Sequence, residues 1–166
     1  MVAYTFRMPA GIPGEVNRAQ TATIVTEILT PSGTTGAPTA YGIPVVIDAT
    51  SGQVRSMTST DTAAYGVLVR PYPTNSSQDP LGTSTPPTSG PCDVLRRGFI
   101  QVLLSVTQAA TNGGQVYIWT AAPSGSHITG GWEAANPGGS GISAPAQSFF
   151  QGPADSNGNT EISFNL

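Results

Sequence analysis

The sequence has no lysine, one histidine and one cysteine, and charged residues make up only 9% of its 166 positions. Each scarcity excludes something. A single cysteine rules out an internal disulfide and any multi-cysteine zinc site. Six arginines, scattered and unsupported by lysine, with a net charge of −3, do not make the clustered basic face that phosphate backbones require, so no nucleic-acid partner is expected. The Glu, Lys and Arg that dominate coiled coils and helical bundles are too few, and no segment carries helical periodicity over eleven or more residues. The longest strongly apolar stretch, about residues 99–106, is interrupted by Gln101 and Ser105 and falls well short of the roughly 20 residues that span a bilayer. No basic region followed by an apolar one opens the chain, so no secretory signal and no membrane association are expected.

Small polar residues take the place of charge, together with 20 Gly and 15 Pro. Short β-branched runs alternate with turn-forming residues: 21–30 (TATIVTEILT), 43–48 (IPVVID), 53–57 (QVRSM), 64–70 (AYGVLVR), 98–106 (GFIQVLLSV), 115–120 (QVYIWT) and 160–166 (TEISFNL). Ala49-Thr50-Ser51-Gly52 is a hairpin signal, and Asn112-Gly113-Gly114 and Asn157-Gly158-Asn159 are further turns. The pattern predicts an all-β chain, a jelly-roll-like sandwich or barrel of short strands. Residues 1–20, broken by Pro9, Gly11, Pro13 and Gly14, read as an extended N-terminal arm with one helical turn at most. Residues 21–166 read as one β-domain with long Gly/Ser/Pro-rich loops at about 73–91 and 121–146.

The inventory for catalysis is thin. His127 sits in a Gly/Ser-rich stretch and reads as an exposed loop histidine, and no G-x-S-x-G elbow supports a triad. Cys92 reads as a small buried hydrophobe rather than half of a Cys–His pair. Glu133 beside Trp132 has the form of a glycosidase acid next to a sugar-stacking ring, but a solvated loop glutamate is the simpler expectation. Asp48, Asp61, Asp79 and Asp93 adjoin turns or prolines, where aspartate bonds its own backbone. Asn75-Ser76-Ser77 matches the glycosylation triplet, which without a secretory signal carries no weight. No catalytic residue, cofactor or metal site is expected.

Interaction is better supported than catalysis. A surface poor in charge costs little to desolvate. Tyr4, Phe6 and Met8 alternate along the arm beside Arg7, as a strand added to another chain requires. Arg96-Arg97 is the one paired charge, and on a strand its members face opposite ways.

Several runs then resemble the structural cement, or capsid decoration, proteins of tailed bacteriophages: residues 41–48 (YGIPVVID), 52–55 (GQVR), 65–74 (YGVLVRPYPT) and 93–102 (DVLRRGFIQV). The resemblance covers roughly residues 40–120 and rests on packing patterns, with Gly66 and Gly98 at matching positions that read as bulges or close backbone approaches. It implies a β-rich, jelly-roll-like structural virion protein on the outer capsid surface. It also implies a major capsid protein of the HK97-like type as partner, non-covalent cementing of neighbouring capsomers, and self-association as a symmetric dimer or trimer. Tyr4, Phe6, Arg7 and Met8 are expected to contact capsid protein, and Arg70, Arg96 and Arg97 to form inter-subunit ion pairs. The alternative is a tail- or fibre-associated or carbohydrate-binding β-sandwich, with Trp119 or Trp132 flanking a groove.

Overall fold

The computed structural model describes residues 11–71, 85–105 and 109–166. Within them lie nine strands: β1 (Thr23–Leu29), β2 (Pro44–Ile47), β3 (Val54–Ser56), β4 (Gly66–Leu68), β5 (Gly90–Leu103), β6 (Tyr117–Trp119), β7 (Gly131–Glu133), β8 (Gly141–Ser143) and β9 (Asn159–Phe164). The helical content among the described residues is two 3₁₀ turns, Ala19–Thr21 and Gly138–Ser140. The all-β expectation holds, and the barrel is the form it takes.

Strands β1, β3, β2, β4 and β5 follow one another in that order, and β1 returns to pair with β5, closing a five-stranded barrel. The closure is uneven. β1 lies antiparallel to β5 along its whole length but meets β3 at Leu29 alone. The interior holds Leu29, Val45, Val54, Leu68, Cys92 and Val94. Because successive side chains of a strand alternate, Val46 on β2 and Val67 on β4 face outward, into a second cluster with Trp132, Phe150, Ile162 and Phe164. Two buried faces explain why residues 43–47 and 66–69 read as continuous apolar runs rather than as alternation.

β5 belongs to both halves of the molecule. Residues 90–97 pair with β1, and residues 98–103 pair with β9. The change of partner falls at Gly98, whose φ of 138° and whose approach to Ala22 leave no room for a side chain: a Cβ there would stand 3.0 Å from the Ala22 Cα. At Gly66 a Cβ would meet Val94 Cγ1 at 2.4 Å and the Leu95 carbonyl at 2.6 Å. Both glycines are thus close backbone approaches, as the sequence suggests.

The 49–52 turn joins β2 to β3 as expected, with the Asp48 carboxylate accepting from the backbone of Ser51 (2.8 Å) and Thr50 (3.0 Å). Those bonds, the Ser51 amide first, hold the Asp48 pKa below its ordinary value. The structure departs from the sequence reading in three places. β5 begins at Gly90, inside the span read as a loop. The span 121–146 carries β7 and β8, which flank β6 in a three-stranded sheet of order β7-β6-β8. Residues 11–20 lie against the body, with Gly14 N–H donating to the Gln101 carbonyl (2.8 Å) and Gln101 N–H to that of Glu15 (2.9 Å). Strands of three residues with glycine at one end carry too little apolar periodicity to stand out from a loop.

Candidate functional site

Tyr4, Phe6, Arg7 and Met8 lie outside the described residues, as do Asn75 and Asp79. The three remaining arginines of the expected interface are dispersed. Arg70 follows β4, its guanidinium carbon 5.9 Å from the centre of the Tyr41 ring and its Nη2 buried with no hydrogen-bond partner among the described residues. Arg96 occupies a bulge: Thr23 pairs with Arg97 and Ile24 with Leu95, so no residue of β1 stands opposite Arg96. The bulge turns its guanidinium onto the Tyr65 ring at 3.6 Å, within cation–π range. Tyr65 in turn donates its hydroxyl to Glu27 Oε1 at 2.6 Å, which raises the phenol pKa. Arg97 is exposed. Among the described residues none of the three makes an ion pair within the chain, whereas Arg18 bonds Glu161 (2.8 Å) and Arg55 bonds Asp61 through both nitrogens (2.7 and 2.8 Å).

Two exposed apolar faces stand out. The first is the outer side of β1, where Ile24 and Ile28 are 42% and 52% exposed. The second is the rim of a groove of about 290 Å³ at the far end of β5, where Leu103 and Ile128 are 47% and 53% exposed. Pro13, Tyr41, Arg70 and Trp132 form its walls. The described chain begins at Gly11, two residues before Pro13 in one of those walls.

The polar cluster that the sequence reading missed lies beside that groove. Glu133 is fully buried on β7, not a solvated loop residue. It accepts from the Ser105 hydroxyl and lies 3.0 Å from His127 Nδ1. The His127 ring stacks on Trp119 at 4.2 Å and is half-buried rather than exposed. Serine, glutamate and histidine together invite a comparison with a nucleophile triad, but there the histidine stands between the other two. Here the carboxylate is central and takes both contacts, so the arrangement ties β7 to the end of β5 and to the 121–130 segment instead of activating the serine. The apolar neighbours of Glu133 in Gly131-Trp132-Glu133-Ala134-Ala135 were the one signal of burial.

Trp132 is 1% exposed, and its Nε1 donates to the Gly42 carbonyl at 2.6 Å, so its ring is packed into the groove wall rather than presented to solvent as a stacking platform. Cys92 faces the barrel interior; burial, with Asp93 and Glu27 nearby, pushes its thiol pKa up to about 11. A thiol so raised is a poor nucleophile at neutral pH.

A family model described as XM1 gp53 minor capsid protein matches residues 1–164. A solved structure, "The capsid of Myoviridae Phage XM1", shares the fold with a TM-score of 0.68 at 18% identity, over 99% of this chain and 94% of that one. A search of curated proteins returns no match.

Proposed function

The chain belongs to the XM1 gp53 minor capsid protein family and is a structural virion protein of a phage capsid, and from that premise we propose that it cements neighbouring capsomers from the outer surface. The observation that carries this reading is the presence of two separate apolar faces on one small body. Ile28 stands opposite Pro91 near the start of β5, and Leu103 ends the same strand, so about 40 Å of extended chain separates them. A subunit with two such faces joins what each one binds, and simultaneous engagement multiplies modest affinities.

The groove edged by Leu103 and Ile128 is the face we assign to the major capsid protein, of HK97-like type. Tyr4, Phe6, Arg7 and Met8 extend that contact, because the described chain begins beside the groove. Arg70 in the groove wall carries a buried nitrogen that has no partner among the described residues, which suits a carboxylate or carbonyl of the shell. Arg96 and Arg97 contribute to contacts between copies in a symmetric dimer or trimer. The role is mechanical and non-enzymatic: preferential binding to the expanded shell stabilises that state.

The test is co-sedimentation with expanded shells lacking the protein, followed by heating and measurement of genome release. The full chain is expected to bind at stoichiometric occupancy and raise the release temperature. A chain lacking residues 1–8, or carrying Leu103→Asp, is expected to lose occupancy while keeping its β-sheet circular dichroism. Undiminished occupancy by both variants removes the groove-and-arm contact, and full occupancy without a change in release temperature removes the cementing role.

A further inference from the structure

The open edge of β1 points to a second copy of this chain. Thr30 N–H donates to the Val54 carbonyl (2.9 Å), toward β3. Main-chain groups alternate in direction along a strand, so those of Ile28, Thr26 and Ile24 point the same way, away from β5. Yet β3 meets β1 only at Leu29. Thr23, Ile24, Thr26 and Ile28 are all exposed. An edge of this kind is usually blunted by lysine, proline or an inward charge. β1 carries no lysine or proline, and its only charge, Glu27, is held by the Tyr65 hydroxyl.

We propose that β1 pairs antiparallel with β1 of a second copy about a two-fold axis through Thr26, continuing the barrel sheet from one subunit into the other. The sequence of the strand is what selects this occupant. In that register Thr26 faces the partner's Thr26, Ile24 the partner's Ile28, and Ile28 the partner's Ile24. These are the residues whose main-chain groups point outward, so each becomes a hydrogen-bonded pair. Threonine opposite threonine and isoleucine opposite isoleucine are favourable cross-strand neighbours. The exposed isoleucines of both copies then form one apolar patch on the outer face. Glu27 falls beside the partner's Val25, not opposite the partner's Glu27. The contact is isologous, so it closes at two copies and leaves no strand edge to propagate.

The inference goes beyond shell binding and is read without shells. Sedimentation equilibrium of the full chain is expected to show a dimer. Ile28→Lys, at an exposed position, is expected to weaken dimerisation by about tenfold or more with circular dichroism unchanged. Thr26→Cys is expected to form a disulfide-linked dimer on mild oxidation, since paired Cα atoms at this position lie within disulfide reach. The wild type, whose one thiol is buried, is the control. A monomeric wild type, or a dimer in which Thr26→Cys does not cross-link, overturns the proposal. So does a Thr26→Cys chain that cross-links only to a Phe6→Cys chain, which assigns the edge to a neighbour's arm. A dimer without affinity for shells leaves this inference standing and removes cementing; a monomer that still binds shells does the reverse.

Discussion

The barrel and the β6–β8 sheet solve the same problem by different means. The barrel interior is almost wholly apolar, and its strands satisfy one another's main-chain groups by closing on themselves. The β6–β8 sheet is three strands of three residues each, too small to bury a face alone. It is fixed to the body by the packing of Ile118 and Trp132 against Val46, Val67 and Leu95 and by a few polar groups reaching across, Trp132 to the Gly42 carbonyl and Ser105 to Glu133, while His127 braces Glu133 from within the β6–β7 connection. Closure distributes stability over many equivalent contacts, whereas anchoring concentrates it in a few. The anchored sheet is therefore where single substitutions cost most, and it also forms a wall of the groove that we assign to the shell.

The largest effect is expected at Trp132. Truncation to alanine removes the biggest buried side chain and leaves the Gly42 carbonyl without its donor. Large-to-small replacements of buried aromatics cost about 3–5 kcal/mol. Thermal denaturation should show a fall of about 10 °C or more for a chain of this size. An equal loss for Leu68→Ala in the barrel would erase the distinction between anchored and distributed stability.

Glu133 comes next. Glu133→Ala takes the shared acceptor from the Ser105 hydroxyl, which keeps only its longer contact to the Trp132 carbonyl (3.3 Å), and from the His127 ring nitrogen, at a cost of about 2–3 kcal/mol. Ser105→Ala and His127→Ala each remove only one arm of the cluster. They should cost about 1 kcal/mol, with His127 the lesser because its side chain is 31% exposed. Denaturant titration of the three variants checks the ranking. Equal losses would mean that the carboxylate is not the centre.

These two residues also mark where sequence stopped being informative. The strands of the barrel were legible because Val45, Val46, Val67 and Leu68 are β-branched or aliphatic in unbroken runs between turns, and such runs have few other uses. The turn at 49–52 was legible because aspartate followed by Ala-Thr-Ser-Gly has its own local hydrogen-bond chemistry. β7 and β8 were hidden because their stability is not local: Gly131 is there because Ser105 Cβ would stand 2.7 Å from any Cβ, and nothing in Gly130-Gly131 announces that neighbour. The closure of β1 on β5 is a pairing of residues some 70 positions apart, which periodicity cannot register. Arg96 and Arg97 were read as opposite in orientation by simple alternation; the outcome, one half-buried and one exposed, fits, but the bulge that sets Arg96 on Tyr65 is a feature of the pair of strands and not of either sequence.

A smaller effect separates a well-made ion pair of the barrel from the anchoring cluster. Arg55, on β3, holds the Asp61 carboxyl at about 2 through its side-chain hydrogen bonds, with Thr58 adding to them. The folded value lies below the unfolded one of about 3.9. The stabilisation is therefore complete above about pH 4 and disappears as pH falls toward 2. After allowance for solvent screening it amounts to about 1 kcal/mol. Asp61→Asn should remove that much at pH 7 and only a small fraction of it at pH 2, read by urea unfolding at the two pH values. A variant equally destabilised at both would mean that the loss is one of packing and not of charge.

The smallest effect sharpens the comparison most, because the molecule carries a separate reporter for each region. Both tryptophans, Trp119 and Trp132, belong to the β6–β8 sheet, and the one thiol, Cys92, faces the barrel interior. At pH 8 a thiol raised to about 11 and buried should resist maleimide until the barrel opens. Tryptophan fluorescence in the same urea series follows the anchored sheet. β5 leaves the barrel as a single 14-residue strand whose next residue, Leu104, bridges Trp132 of β7, and its outward Leu95 sits in the cluster that the second sheet covers. The barrel cannot keep that face buried once the sheet has left. Thiol labelling and fluorescence should therefore share one midpoint within error in the wild type. Under Glu133→Ala the two midpoints should move together, since the strand that transmits the loss is intact. Fluorescence changing at lower urea than labelling would show instead that the anchored sheet detaches by itself, and that the groove wall it provides is a separable part of the molecule.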